Sequence, residues 1–150
     1  MDAFQMIDDI LVRLIHEVWE LEEQAIIVGE FRDITNNDMH IIEAIGLDGN
    51  ITMSAVAKKL SITPGSLTTA MNGLVNKKYV ERERGEVDRR TVYVHLTEKG
   101  QRAFVHHANF HHRMTTAVLS QLDESEVSVL LKSLQNLSTF FRQYKDVLED

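Results

Sequence analysis

Four arginines, Arg82, Arg84, Arg89 and Arg90, fall within nine residues of one another. A guanidinium is planar, permanently charged and able to grip phosphate or enter a narrow minor groove, where the potential is most negative. Such a cluster is chemistry for a polyanion. Shortly before it, Thr63, Pro64, Gly65, Ser66, Thr68, Thr69 and Asn72 gather short hydroxyls, a carboxamide and a helix start with free backbone N–H groups. These groups suit phosphates and base edges at close approach. Asp88 is out of place as a direct DNA contact, and it is expected to accept hydrogen bonds from an arginine such as Arg90 and hold the loop in shape.

A second group carries a different chemistry. Phe104, His107, His111, Met114 and Val118 recur at steps of three and four, so His107 and His111 lie on the apolar stripe of a helix. One reading is a pair of packing histidines bonded to backbone or to a neighbouring side chain. Another joins His40 to the pair and binds zinc through three nitrogens, although no cysteine is present and Met39 stands where a carboxylate ligand would help. No cofactor is expected, with zinc as the alternative.

Other chemistries lack their motifs. No G-x-S-x-G elbow, phosphate-binding glycine loop, H-E-x-x-H pair or dinucleotide fingerprint occurs, so an enzyme is not expected. The absence of cysteine removes disulfides and thiolate nucleophiles and accords with a reducing cytoplasm. Residues Met1 to Phe4 lack a basic signal region, and the longest apolar run, Ala25-Ile26-Ile27-Val28, is far short of the ~20 residues of a spanning helix. A soluble, cytoplasmic protein is expected.

The elements that must position these residues follow from periodicity. Phe4, Ile7, Leu11, Leu14, Val18, Leu21, Ala25 and Val28 alternate at three and four, which predicts one helix of about 25 residues. The same alternation in Val127, Leu130, Leu134, Leu137, Phe141, Tyr144 and Leu148 predicts a closing helix, opened by the capping pattern Asp123-Glu124-Ser125-Glu126. Seams this long exceed what a small core needs, and a homodimer paired through both terminal helices is expected. Between them, Thr35 and Thr52 can each cap a short helix, Ser61-Ile62-Thr63 makes a turn, and Thr63-Pro64 starts a helix over 64–77. Residues 79–82 and 91–96 alternate as strands around the polar connector 83–90, and Thr97 can cap a long helix to about 122.

The chain of 150 residues suits one compact domain or one subunit. Its net charge of −7 conceals a segmentation. Residues 1–57 hold two Lys/Arg against twelve Asp/Glu, whereas 58–102 hold ten against five. The basic charge therefore sits on the two helices and the hairpin that follows them.

That order predicts a winged helix-turn-helix, mainly α with a small β-hairpin wing, whose second helix enters the major groove. The string Asp88-Arg89-Arg90, five residues, then Leu96-Thr97-Glu98-Lys99-Gly100 resembles the D-x-R-x5-L-T-x-x-G wing signature of the MarR family of bacterial transcription regulators. The resemblance covers nearly the whole chain. It implies a dimeric repressor of a pseudo-palindromic operator, with 35–102 as DNA-binding domain and 1–34 and 103–150 as the helical dimerisation region.

Within the family, the runs 31–35, 39–40, 65–74 and 107–111 are most similar to the FabT-type repressors of fatty-acid synthesis. That similarity implies a long-chain acyl group on acyl carrier protein as corepressor. It suggests a tunnel lined by Leu11, Leu14, Ile15, Val18, Trp19, Phe104, Phe110 and Met114, with His107 or His111 at the carbonyl end. An acidic carrier would seek basic residues, for which Lys58, Lys59, Lys77, Lys78 and Arg113 are candidates. The alternatives are a zinc-responsive MarR-type regulator and, from a different class, a helical protein-interaction module without DNA binding.

Overall fold

The computed structural model describes residues 2–26 and 28–149, without the side chain of Glu149. Met1 and Ile27, which entered the reading of the start and of the apolar run, lie outside the described residues. Helix α1 (Ala3–Ile26) is followed by a 3-10 turn (Gly29–Phe31), α2 (Asn36–Ile45), β1 (Ile51–Thr52), α3 (Met53–Leu60), α4 (Pro64–Asn76), β2 (Val80–Arg84), β3 (Val92–Leu96), α5 (Glu98–Leu119) and α6 (Glu124–Glu149). None of the helices is long and apolar enough to cross a membrane.

The chain divides into two compact units, 1–110 and 111–150. In the first, the core is built where short helices meet the sheet: Met39, Ile41, Ile42 and Ile45 of α2, Val56 of α3, Leu67, Met71 and Leu74 of α4, and Val80, Val94 and Leu96 of the strands. These positions recur at helical or strand spacing, so each element turns one apolar face inward. On α1, by contrast, Glu22 and Ile26 are buried while Phe4, Ile7, Leu14 and Leu21 of the expected seam are exposed.

Caps fix the ends of the short helices. Thr35 Oγ1 accepts from the Asp38 N–H at 3.1 Å and the Asp38 carboxylate accepts from the Thr35 N–H at 3.1 Å, a reciprocal box that starts α2. Thr52 caps α3 through the Ala55 N–H. Ser61 ends that helix with a left-handed φ of 52°, and Thr63 with Pro64 opens α4, as their types predict.

The sheet has three antiparallel strands in the order β1-β3-β2, with Ile51 opposite Val94 and Arg82 also opposite Val94 on the other side. The hairpin is as expected, but β1 is an addition. Two residues are too short to register as a period, so only the pairing partner β3 creates that strand. Strand β2 also runs to Arg84 rather than stopping at Arg82, because alternating Glu and Arg on an exposed strand leave no apolar period to read.

The second unit comprises the last turns of α5, a short connector and α6. Asp123 caps α6: its Oδ1 accepts from the N–H groups of Ser125 and Glu126, and its own N–H donates to Glu126 Oε2. The Ser125 hydroxyl also donates to Oδ1, at 2.6 Å, and this bond, more than those from the Glu126 and Ser125 N–H groups, holds the Asp123 carboxyl below its ordinary pKa. Leu134, Phe141, Tyr144 and Leu148 of α6 are exposed.

Candidate nucleic-acid interface

The first turns of α4 stand outward because its other face is fully committed. Leu67, Met71 and Leu74 are buried, and Thr63, Pro64, Gly65, Ser66, Thr68, Thr69 and Asn72 are exposed. Thr63 Oγ1 donates to Ser66 Oγ at 2.9 Å and accepts from the Ser66 N–H at 3.2 Å. Thr68 Oγ1 donates to the Pro64 carbonyl at 2.8 Å and Thr69 Oγ1 to that of Gly65 at 3.3 Å, so each hydroxyl turns its lone pairs outward.

Beside α4 stands the wing. Gly85 leaves β2 with its N–H on the Thr91 carbonyl at 2.8 Å, and a side chain there would meet the Asp88 carbonyl oxygen 2.6 Å from its Cβ. Asp88 Oδ1 accepts from the backbone N–H of Arg90 at 2.9 Å. The aspartate thus shapes the loop through Arg90, as expected, but through its main chain, and the guanidinium stays available. Among the described residues, no carboxylate lies within ion-pair distance of Arg84, Arg89 or Arg90, and all three are exposed. Arg82 differs: its Nη1 donates to Asn72 Oδ1 at 2.6 Å, tying the wing to α4. A groove between them is lined by Met53, Thr68, Arg82, Glu83, Arg84 and Val92.

The signature that follows the wing has a physical basis. Leu96 is buried, Thr97 Oγ1 caps α5 by accepting from the Gly100 N–H and donates to the Lys78 carbonyl at 2.6 Å, and a Cβ at Gly100 would collide with the carbonyl oxygen of Tyr79. Wing, α4 terminus and α5 are therefore one interlocked corner.

An exposed capped helix beside an arginine-tipped hairpin is the arrangement of a winged helix-turn-helix. Residues 32–91 match the MarR family. FabT of Streptococcus pneumoniae, solved in complex with DNA, is similar over 94% of this chain and 99% of its own, with 37% sequence identity and a TM-score of 0.86. The chain belongs to the MarR family. The HTH-type transcriptional regulator PchR of Bacillus subtilis is 26% identical over 148 residues, 90% of this chain and 87% of its own. MepR of Staphylococcus aureus, in its DNA complex, is 26% identical over 87% of this chain and 95% of its own, with a TM-score of 0.67. This MarR-family protein is a DNA-binding transcriptional regulator with the winged-helix fold, and a FabT-like one.

In this MarR-family chain the histidine stripe of α5 is split. His107 is buried, with Nε2 3.5 Å from carboxylate oxygens of both Glu22 on α1 and Glu43 on α2. His40 Nδ1 lies 3.7 Å from Glu43, and its ring stands edge-on to that of His107 at 6.4 Å between centroids. His111, one turn further along α5, is half-buried. Glu22 and Glu43 were missed in the sequence. The available signal was Glu22 itself, an acid one turn before buried Ile26 and on the same face. Met39, which stands where a carboxylate ligand would help, is a core residue, and a carboxylate reaches His107 from Glu43, one turn on.

The residues named for an acyl tunnel are distributed unevenly. Leu11, Val18, Phe104 and Phe110 are half-buried, whereas Leu14, Ile15, Trp19 and Met114 are exposed. A shallow cleft is lined by Trp19, Glu23, Thr35, Asn36, Asn37 and His40. Of the basic candidates for an acidic partner, Lys77 is engaged with Asp38 and the Lys59 ammonium donates to the Ala44 carbonyl, while Lys58, Lys78 and Arg113 are exposed.

Proposed function

We propose that this regulator is a homodimeric repressor of fatty-acid synthesis, binding a pseudo-palindromic operator and using a long-chain acyl group on acyl carrier protein as corepressor. The observation that carries this reading is the likeness to S. pneumoniae FabT at 37% identity over almost the full length of both chains. Residues 35–102 then form the DNA-binding domain, and 1–34 with 103–150 the dimerisation region. Thr63 to Ser66, Thr68, Thr69 and Asn72 approach the major groove, and Arg84, Arg89 and Arg90 reach phosphate or the adjacent minor groove.

A second copy is favoured by the exposed apolar side chains of the terminal helices. Phe4 is 78% exposed, and Ile7, Leu14 and Leu21 of the same seam on α1 are exposed with it, an apolar stripe of the kind that marks an interaction face. A two-fold pair would set two copies of α4 about 34 Å apart, one turn of B-DNA. Sedimentation of the 17.2 kDa chain at twice that mass, lost in Leu21→Arg, is the expected result.

The decisive experiment is a gel shift on the source organism's fatty-acid-synthesis promoters, with and without acyl carrier protein bearing a long chain. Tighter retardation with the loaded carrier supports corepression. Retardation indifferent to it removes the acyl reading and leaves the regulator.

A zinc-responsive alternative is favoured by one piece of geometry. Ligand atoms around a tetrahedral zinc stand about 3.3 Å apart. The Glu22 and Glu43 oxygens are each 3.5 Å from His107 Nε2, and His40 is adjacent. His107 would hold the ion with a carboxylate beside its Nε2, and His40 and His111 are the further ligands of this reading. Stoichiometric zinc in the purified protein, lost in His107→Ala, would reverse the order of the two readings.

A further inference from the structure

We infer that Arg82 is a specificity-determining positioning residue: by holding the carbonyl oxygen of Asn72, it orients that side chain as a hydrogen-bond donor to DNA and disfavours the two-point contact with adenine. The inference rests on α4 entering the major groove.

The chemistry is forced by the donor inventory. A guanidinium only donates, so the atom of Asn72 that it meets at 2.6 Å is the oxygen, and the opposite orientation would set an NH2 group against N–H groups. The hydroxyls of Thr68 and Thr69 can offer a proton outward by giving up only a neutral bond to a helix carbonyl, but the carboxamide of Asn72 cannot turn over without losing a charge-assisted bond. Both residues are exposed, and Arg82 reaches Asn72 from the middle of β2, where pairing with Val94 fixes the strand. Gly65, Thr68 or Thr69, and Asn72 share one face of α4 at steps of three and four, so Asn72 is the inner member of the same row.

An asparagine reads adenine by accepting from N6 and donating to N7 at once. With one lone pair of Oδ1 taken by the wing and the plane of the carboxamide set by that bond, Nδ2 is the atom left free to turn to the groove. Its best partners are then acceptor edges, above all guanine, whose O6 and N7 both accept, with the O4 of thymine as the lesser choice. The wing therefore tunes what the recognition helix reads, in addition to any phosphate it binds.

The test is selection from duplex DNA carrying about two helical turns of randomised sequence, with the full-length protein and four variants. The position read by Asn72 is the one whose preference disappears in Asn72→Ala. Wild type is expected to choose guanine or thymine there. Arg82→Met, which keeps the apolar stem and frees the oxygen, is expected to move the choice to adenine by about tenfold. Arg82→Lys retains a donor and keeps the wild-type choice, and Asn72→Asp retains the Arg82 bond but loses the choice with its donor. Circular dichroism confirms that all four variants fold.

If Arg82→Met weakens binding to every selected duplex equally and leaves the preferred base unchanged, Arg82 is a phosphate contact and the inference is overturned. Adenine as the wild-type choice, or a position indifferent to Asn72→Ala, overturns it equally. Wild-type protein that selects no sequence at all overturns the underlying assignment of α4 as the reading helix.

Discussion

The ammonium of Lys77, which follows the last residue of α4, lies 3.1 Å from Oδ2 of Asp38, the third residue of α2. The same oxygen closes the capping box of α2 by accepting from the Thr35 N–H. One carboxylate thus starts one helix and anchors the end of the recognition helix.

Because Asp38 is buried and serves two donors, removing its carboxylate breaks one half of the capping box, while Thr35 Oγ1 still caps α2, and takes the acceptor from the Thr35 N–H and the Lys77 ammonium. Asp38→Ala is expected to lower stability by about 2 kcal/mol, from half a capping box and a lost charge-assisted bond. The measurement is the urea midpoint at unchanged slope. Asp38→Asn, which keeps one acceptor, should lose less.

Tyr79 supplies a pH dependence. Its hydroxyl donates to Asp33 Oδ1 at 2.6 Å, and burial, aided by that carboxylate, holds the phenol well above its ordinary pKa. The folded state therefore keeps a proton that the unfolded chain releases near pH 10. The stability this proton contributes is complete below about pH 10 and falls as pH rises beyond it. Unfolding curves from pH 8 to 11 should show a steeper decline for wild type than for Tyr79→Phe, which has no proton to lose.

Two glycines make opposite predictions. A Cβ at Gly100 would strike the Tyr79 carbonyl oxygen, and backbone cannot step aside as a side-chain tip can, so Gly100→Ala should cost about 2 kcal/mol or more. Gly73, inside α4, has open space around its Cβ position, and Gly73→Ala should stabilise by up to about 1 kcal/mol through helix propensity. Thermal melts of the two variants, moving in opposite directions, check the packing of this corner.

The wing arginines with no carboxylate partner should behave as phosphate ligands. Arg84→Ala and Arg90→Ala are each expected to weaken binding to all duplexes alike and to reduce the slope of log K against log salt by about 1. Asp88→Ala should weaken binding differently, by releasing the Arg90 N–H that shapes the loop while leaving every positive charge in place. Fluorescence anisotropy from 50 to 300 mM salt, about the range over which counterion release dominates, separates the two effects.

Local chemistry was legible in the residues themselves. Thr35, Thr52, Thr63, Thr97 and Asp123 cap the helices they precede, and the order of helices and hairpin follows from periodicity, because caps and faces depend on neighbours within a few residues. The outward face of α4 and the arginines of the wing were legible for the same reason, as was the signature whose Leu96, Thr97 and Gly100 lock the corner against Lys78 and Tyr79. Three-dimensional folding alone paired Ile51–Thr52 with β3, brought Glu22 and Glu43 to His107 from helices separate in sequence, set Lys77 on Asp38, and turned the Asn72 oxygen to Arg82. Each of those relationships joins groups on different elements, and no spacing along a chain encodes which atoms meet when separate faces close over a common core.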